Sequence, residues 1–172
     1  SAQNIGMREM VNLILEELSS LGVSVDVVET SGNPIIYGEL EGSNKERTLS
    51  FYNHYDVQPP EPLEEWESDP FAAEIRDGKI YARGATDNKG SLLCRLCAIR
   101  AFQAVYGELP LRIKLIYEGE EEIGSPHLSE FAEKYPERLK TDGFAWEGGT
   151  KQINGPLEVS FGVKGLLYIE LR

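Results

Sequence analysis

Apolar side chains recur at helical spacing from Ile5 to Leu21, with Met7, Val11, Ile14, Leu18 and Leu21 on one stripe, and Gly22 supplies a stop. Two extended segments follow, Val23 to Val28 and Ile35 to Leu40, separated by the turn residues Ser31-Gly32-Asn33-Pro34. A strand from Arg47 to Asn53 delivers His54, and an acidic, proline-rich loop then runs from Val57 to Pro70. Ala73 to Tyr81 reads as a hairpin around Asp77-Gly78, a favoured two-residue turn. The second helix covers Gly90 to Val105 and is closed by Gly107, with Leu111 to Tyr117 as the next strand. Ser125-Pro126 predicts the N-cap and first-turn proline of a helix of about ten residues. Asp142 to Trp146 is a short strand ending at Glu147, and Leu157 to Phe161 and Leu166 to Leu171 are extended. Strands alternating with helices predict an α/β fold, a mixed and largely parallel sheet with helices on both faces.

Composition narrows the function classes. The 172 residues are 41% hydrophobic and 27% charged, which fits one globular domain with a sizeable core. With 17 basic and 29 acidic residues the formal charge is −12, which argues against nucleic acid or an anionic membrane as partner. No apolar run is long enough to cross a bilayer. Cys94 and Cys97 fall in the apolar pattern of the second helix and are expected to be small core residues rather than a redox or metal pair. Without a disulfide framework, a reducing, cytoplasmic compartment is expected.

The chemistry-bearing residues follow strands. His54, Asp87, Glu121, Glu122 and Glu147 each come just after an expected strand or in the loop beyond it. Ligand crevices of open α/β sheets lie outside the carboxyl ends of the strands, so these five can converge. Imidazole with carboxylates is a donor set for divalent cations. His54 and Asp56 are two apart in extended chain, so both side chains leave the same side and the carboxylate can orient the ring. Asp87 lies between Gly84 and Gly90; an N-capping role for the following helix is the plainer alternative. The run Glu120-Glu121-Glu122 places like charges together, which cations relieve. His127 is expected to be an ordinary exposed residue.

Taken together, the blocks His54-Tyr55-Asp56-Val57-Gln58-Pro59, Trp66 with Asp69-Pro70-Phe71, Asp77-Gly78-Lys79-Ile80-Tyr81, Arg83-Gly84-Ala85-Thr86-Asp87-Asn88-Lys89-Gly90 and Glu118-Gly119-Glu120-Glu121-Glu122-Ile123-Gly124-Ser125 resemble a known family. It is the co-catalytic zinc exopeptidase family of carnosinases, nonspecific dipeptidases, aminoacylases, glutamate carboxypeptidase and succinyl-diaminopimelate desuccinylase, with the dipeptidase branch most similar. The resemblance implies that His54 binds one zinc with Asp56 orienting it. It also implies that Asp87 bridges two zincs beside a cis peptide to Asn88, that Glu121 is the general base, and that Glu122 binds the second zinc. Glu147 best fits the acidic ligand of the zinc held by His54, with Asp142 as competitor. A one-residue slip to Glu120 and Glu121 is the alternative register.

Two zincs per complete site are implied, with manganese or cobalt as alternatives, and a dipeptide or similar small amide as substrate. The family inserts a lid and dimerisation domain after a segment like Gly162-Val163-Lys164-Gly165, and later supplies a histidine to the second zinc. Residues 1–164 are therefore expected to be the amino-terminal part of a catalytic domain and 165–172 the start of a lid, through which the complete protein forms a homodimer. On that expectation the chain is a fragment, inactive alone. An aminoacylase or desuccinylase is the alternative within the family, and a non-catalytic metal-binding or interaction module the alternative outside it.

Overall fold

The computed structural model describes residues 4–148, 154–156, 158–162, 165 and 169. Helix α1 (Met7–Ser20) is followed by β1 (Ser24–Val28), β2 (Ile35–Leu40) and the long β3 (Gly42–His54). A hairpin of β4 (Glu74–Arg76) and β5 (Lys79–Tyr81) precedes α2 (Ser91–Tyr106) and β6 (Leu109–Glu118). Helix α3 (Leu128–Lys134) and β7 (Gly143–Trp146) complete the described elements. The main sheet has the order β1-β2-β6-β3-β7. β3 pairs parallel with both β6 and β7, whereas β1–β2 and β2–β6 are antiparallel.

Alternation along the strands splits the core in two. On one face Ile36, Leu40, Ile113, Leu115 and Tyr117 meet Val11, Ile14 and Leu18 of α1 and Leu92, Leu96 and Ile99 of α2. On the other, Val28, Ile35, Tyr37, Tyr52 and Ile116 receive Phe131 of α3. Helices thus cover both faces of a mixed sheet, as expected. α1 ends as its sequence dictates: Gly22 is left-handed (φ 73), and the Val23 N–H returns 3.1 Å to the Leu18 carbonyl, which satisfies an orphan acceptor of the last turn. At the hairpin both Asp77 (φ 49) and Gly78 (φ 71) are left-handed, the geometry a two-residue turn needs.

Three local expectations are corrected. Cys94 and Cys97 are free and exposed, because they sit on the face of α2 turned away from Leu92, Leu96 and Ile99. Ser125 does not cap α3; its hydroxyl donates to Glu118 at 2.8 Å, and the helix runs seven residues from Leu128. His127 is half-buried and not an ordinary surface residue, with Nδ1 2.7 Å from Glu120 Oε2. Glu158 to Phe161 forms neither helix nor strand, and Leu157 and all of Leu166 to Leu171 except Ile169 lie outside the described residues, as do Val163 and Lys164. No helix among the described residues is long and apolar enough to cross a membrane.

Candidate metal centre

Because β3, β6 and β7 are parallel, their carboxyl ends share one edge of the sheet. His54 ends β3, Glu147 follows β7, the glutamate run follows β6, and Asp87 arrives from the loop ahead of α2. His54 has no exposed side-chain surface. Its Nδ1 lies 3.2 Å from the Asp56 carbonyl oxygen and 3.3 Å from Asp56 Oδ1. That leaves Nε2 facing the crevice, 2.9 Å from Asp87 Oδ1 and 3.7 Å from Glu121 Oε2. The buried Asp56 carboxylate has a second duty the sequence did not show: it accepts the backbone N–H of Glu121 at 3.2 Å and of Glu122 at 3.1 Å. One residue therefore orients the imidazole and pins the loop that carries two acids.

Two sets of ligand atoms lie within 4.8 Å of one another, His54 with Asp87 and Glu122, and His54 with Glu121 and Glu147. All four expected ligands thus converge, and the expected base joins them. The grouping differs from the expected one, in which Asp87 and Glu147 share the zinc of His54. The peptide between Asp87 and Asn88 is cis, as the resemblance implies. Asp87 turns its carboxylate to His54, and α2 has no side-chain cap, so the plainer N-cap reading of Asp87 fails. Asp142 is spent at the opposite end of β7, accepting from the Thr48 N–H at 2.8 Å and from Arg47 at 2.9 Å. Glu120 is turned away from the crevice, accepting from the Asn33 N–H and pairing with His127.

The charge balance of the crevice is unfavourable without a cation. Burial, the neighbouring Glu147, and Glu122 and Asp87 beyond it push Glu121 up to about 7, against the pull of His54. Glu147 is raised by burial and by Asp87, in part offset by His54. Burial pulls His54 down, but Asp56, Asp87 and Glu121 outweigh it and lift the ring to about 9. Hydrogen bonds from Tyr52 and Ser125 meet the buried Glu118 carboxylate, yet burial still holds it above the usual range. An imidazole nitrogen free to face inward, several carboxylate oxygens within ligand reach and too few positive charges together fit divalent cations.

Several contributors escaped the sequence reading. Gln58 donates to the Glu122 carboxylate at 2.7 Å, the Asn53 amide donates to Asn88 Oδ1, and Arg95 of α2 reaches the ends of β3 and β7. For Arg95 a signal was present: it stands on the same helical face as Leu92, Leu96 and Ile99, where a charge needs partners. For Gln58 and Asn53 there was none, since their partners lie far along the chain.

The model described as peptidase family M20/M25/M40 matches residues 50–162. Beta-Ala-His dipeptidase of Rattus norvegicus is 38% identical over 136 residues, covering 73% of this chain and 28% of that protein. Cys-Gly metallodipeptidase dug1 of Schizosaccharomyces pombe is 28% identical over 182 residues, covering 95% of this chain and 37% of its own length. Among solved structures, the M20 family metallo-carboxypeptidase Sso-CP2 from Sulfolobus solfataricus superposes with a TM-score of 0.81 at 45% identity, over 87% of this chain and 34% of that one. The chain spans between 28% and 37% of the length of these relatives. The family match begins inside β3, takes in each acid and the histidine of the crevice, and makes this chain a member of peptidase family M20/M25/M40.

Proposed function

We propose that this chain supplies the metal centre of a hydrolase that cleaves the amide bond of dipeptides or similar small amides bearing a free carboxylate. The observation that carries this reading is the convergence of His54, Asp87, Glu121, Glu122 and Glu147 at one sheet edge, their ligand atoms within 4.8 Å in two overlapping sets. In this reading His54, Asp87 and Glu147 would hold one cation, and Asp87 and Glu122 would hold the second with a histidine from elsewhere in the whole protein, an assignment taken from the family resemblance. Zinc is the proposed metal, with manganese or cobalt as alternatives. Two divalent cations, when bound, polarise the amide carbonyl and neutralise the acids around them.

Glu121 takes a proton from the attacking water and returns it to the leaving amine. Its carboxylate lies in the crevice, 3.7 Å from His54 Nε2 and grouped with the proposed ligands, within reach of a water held among them. Asp56 keeps the Nδ1 proton of His54 in place and holds the Glu121 backbone. The names of the rat and fission-yeast relatives support a dipeptide substrate over an acylated amino acid. In the same reading, residues 1–164 begin the catalytic domain and 165–172 lead into a lid through which the whole protein pairs. The exposed free thiols of Cys94 and Cys97 accord with a reducing, cytoplasmic compartment.

The test is a Glu121→Gln variant of the full-length protein, assayed for bound zinc and for hydrolysis of a dipeptide panel. The expected result is two zincs retained and a rate lowered by about 10²–10⁴-fold. Normal hydrolysis would remove Glu121 from the mechanism. Loss of one zinc would make it a ligand, the role that its grouping with His54 and Glu147 would then explain.

A further inference from the structure

Arg95 lies on the buried face of α2, yet no carboxylate side chain pairs with it in an ion pair among the described residues. Its donors go to backbone and amide oxygens at the strand ends. Nη1 is 2.6 Å from the Tyr52 carbonyl and 2.6 Å from Asn53 Oδ1, and Nη2 donates to the Glu147 carbonyl. The Tyr52 carbonyl also accepts the Glu147 N–H at 3.0 Å, so Arg95 and Glu147 share an acceptor. The guanidinium carbon sits 5.3 Å from the Phe51 ring centre.

Three features mark the backbone at Glu147. It directly follows β7, a strand of four residues with β3 as its only partner among the described elements. Its own backbone is left-handed, with φ at 37, a conformation disfavoured for a residue with a side chain. Its carbonyl accepts from Arg95 Nη2. Asn53, which accepts from the same guanidinium, donates its own amide to Asn88.

We propose that Arg95 is a positioning residue: by bridging the carbonyls of Tyr52 and Glu147 it fixes the backbone from which the Glu147 carboxylate reaches the metal held by His54. This rests on the metal-centre reading above. The planar fork is what the job requires, since two donors must point at two carbonyls on neighbouring strands while a third contact meets Asn53. A lysine ammonium can meet one of these carbonyls but cannot span the pair with the same geometry.

The experiment is a zinc titration by calorimetry on the full-length protein, with amide hydrogen exchange at Glu147 followed in the metal-free state. Arg95→Leu is expected to weaken one zinc-binding step by about 10–100-fold and leave the other unchanged. Exchange should quicken at Glu147 while the amides of β2 and β6 keep their protection. Arg95→Lys should recover part of both effects. In a Glu147→Gln background, Arg95→Leu should cost that step nothing further, because the residue through which it acts is already disabled. Wild-type zinc affinity in Arg95→Leu, or equal losses at both steps with faster exchange throughout the sheet, would overturn the proposal. A wild type that binds no zinc, with Glu147 still released in Arg95→Leu, would sink the metal-centre reading while upholding the backbone bridge.

Discussion

Two acid-rich regions of this molecule look alike in sequence and differ in their partners. The first is a groove beside β1 and β2, lined by Asp26, Glu39, Glu41 and Glu137 with Ser24, Tyr37 and Arg138. There Asp26 meets Arg138 at 2.5 Å, Glu41 meets Arg112 at 3.4 Å, and Glu39 accepts from the Tyr37 hydroxyl. Arg138 also packs 4.5 Å from the Tyr37 ring centre and 4.3 Å from that of Tyr135. The second is the crevice at the ends of β3, β6 and β7, where His54 is the base that Asp56, Asp87 and Glu121 all approach. Lys89 adds little to the balance, its charged form disfavoured by burial and only partly supported by Asp56 and Glu122. Acidity by itself therefore marks nothing. Acidity left unbalanced at the carboxyl edge of parallel strands, with a histidine turned into it, marks a place for cations.

The contrast can be broken most forcefully by His54→Ala, which should lower zinc affinity by more than about 100-fold, since even supporting residues cost 10–100-fold. Zinc bound as tightly as in the wild type would show the crevice to be no different from the groove. Asp56→Asn should come next, at about 10–100-fold, because the amide cannot serve His54 and the two loop N–H groups together. The pH dependence of the metal-free protein sharpens the comparison further. His54 is raised from 6.5 to about 9, so its stabilisation is complete below 6.5 and is lost as pH rises through 9. Glu121 is raised from 4.5 to about 7, so the folded state holds its proton more tightly, and that contribution is lost as pH rises from 4.5 through 7. Denaturation with a chelator present should thus show stability falling between pH 4.5 and 9, and saturating zinc should flatten the fall. The smallest effect belongs to the groove: Arg138→Met should cost about 1–2 kcal/mol in urea melts, from its pair with Asp26 and its packing on Tyr37 and Tyr135, and leave zinc binding untouched.

What the sequence revealed depended on whether the determinant was local. The helical stripe of α1, the Asp77-Gly78 turn and the strand-end positions of His54 and Glu147 are all written in spacing and turn chemistry, and they are where the sequence places them. Cys94 and Cys97 misled because α2 is apolar almost all round: Leu93, Phe102 and Val105 are exposed, so periodicity could not tell the outer face from the inner. Ser125-Pro126 misled because a tertiary acceptor, Glu118, claims the hydroxyl that a local rule assigns to a helix cap. The pairing of Glu120 with His127 and the reach of Arg95 to Glu147 link residues whose meeting only the folded sheet decides.

Gly119 leads the glutamate run, and a side chain there would meet the Tyr55 ring, its first carbon about 2.5 Å from ring atoms. The ring cannot yield easily, because it is buried and its hydroxyl donates to the Pro34 carbonyl at 2.5 Å. The loop therefore leaves β6 from a fixed origin, and counting starts there. One residue on, the acid faces Asn33 and His127; two on, it faces His54; three on, it faces Gln58. Three identical letters thus carry three separate meanings set by their distance from one glycine. Deleting any one of the three gives the same two-glutamate sequence, in which isoleucine falls at the third place and the position facing Gln58 loses its carboxylate.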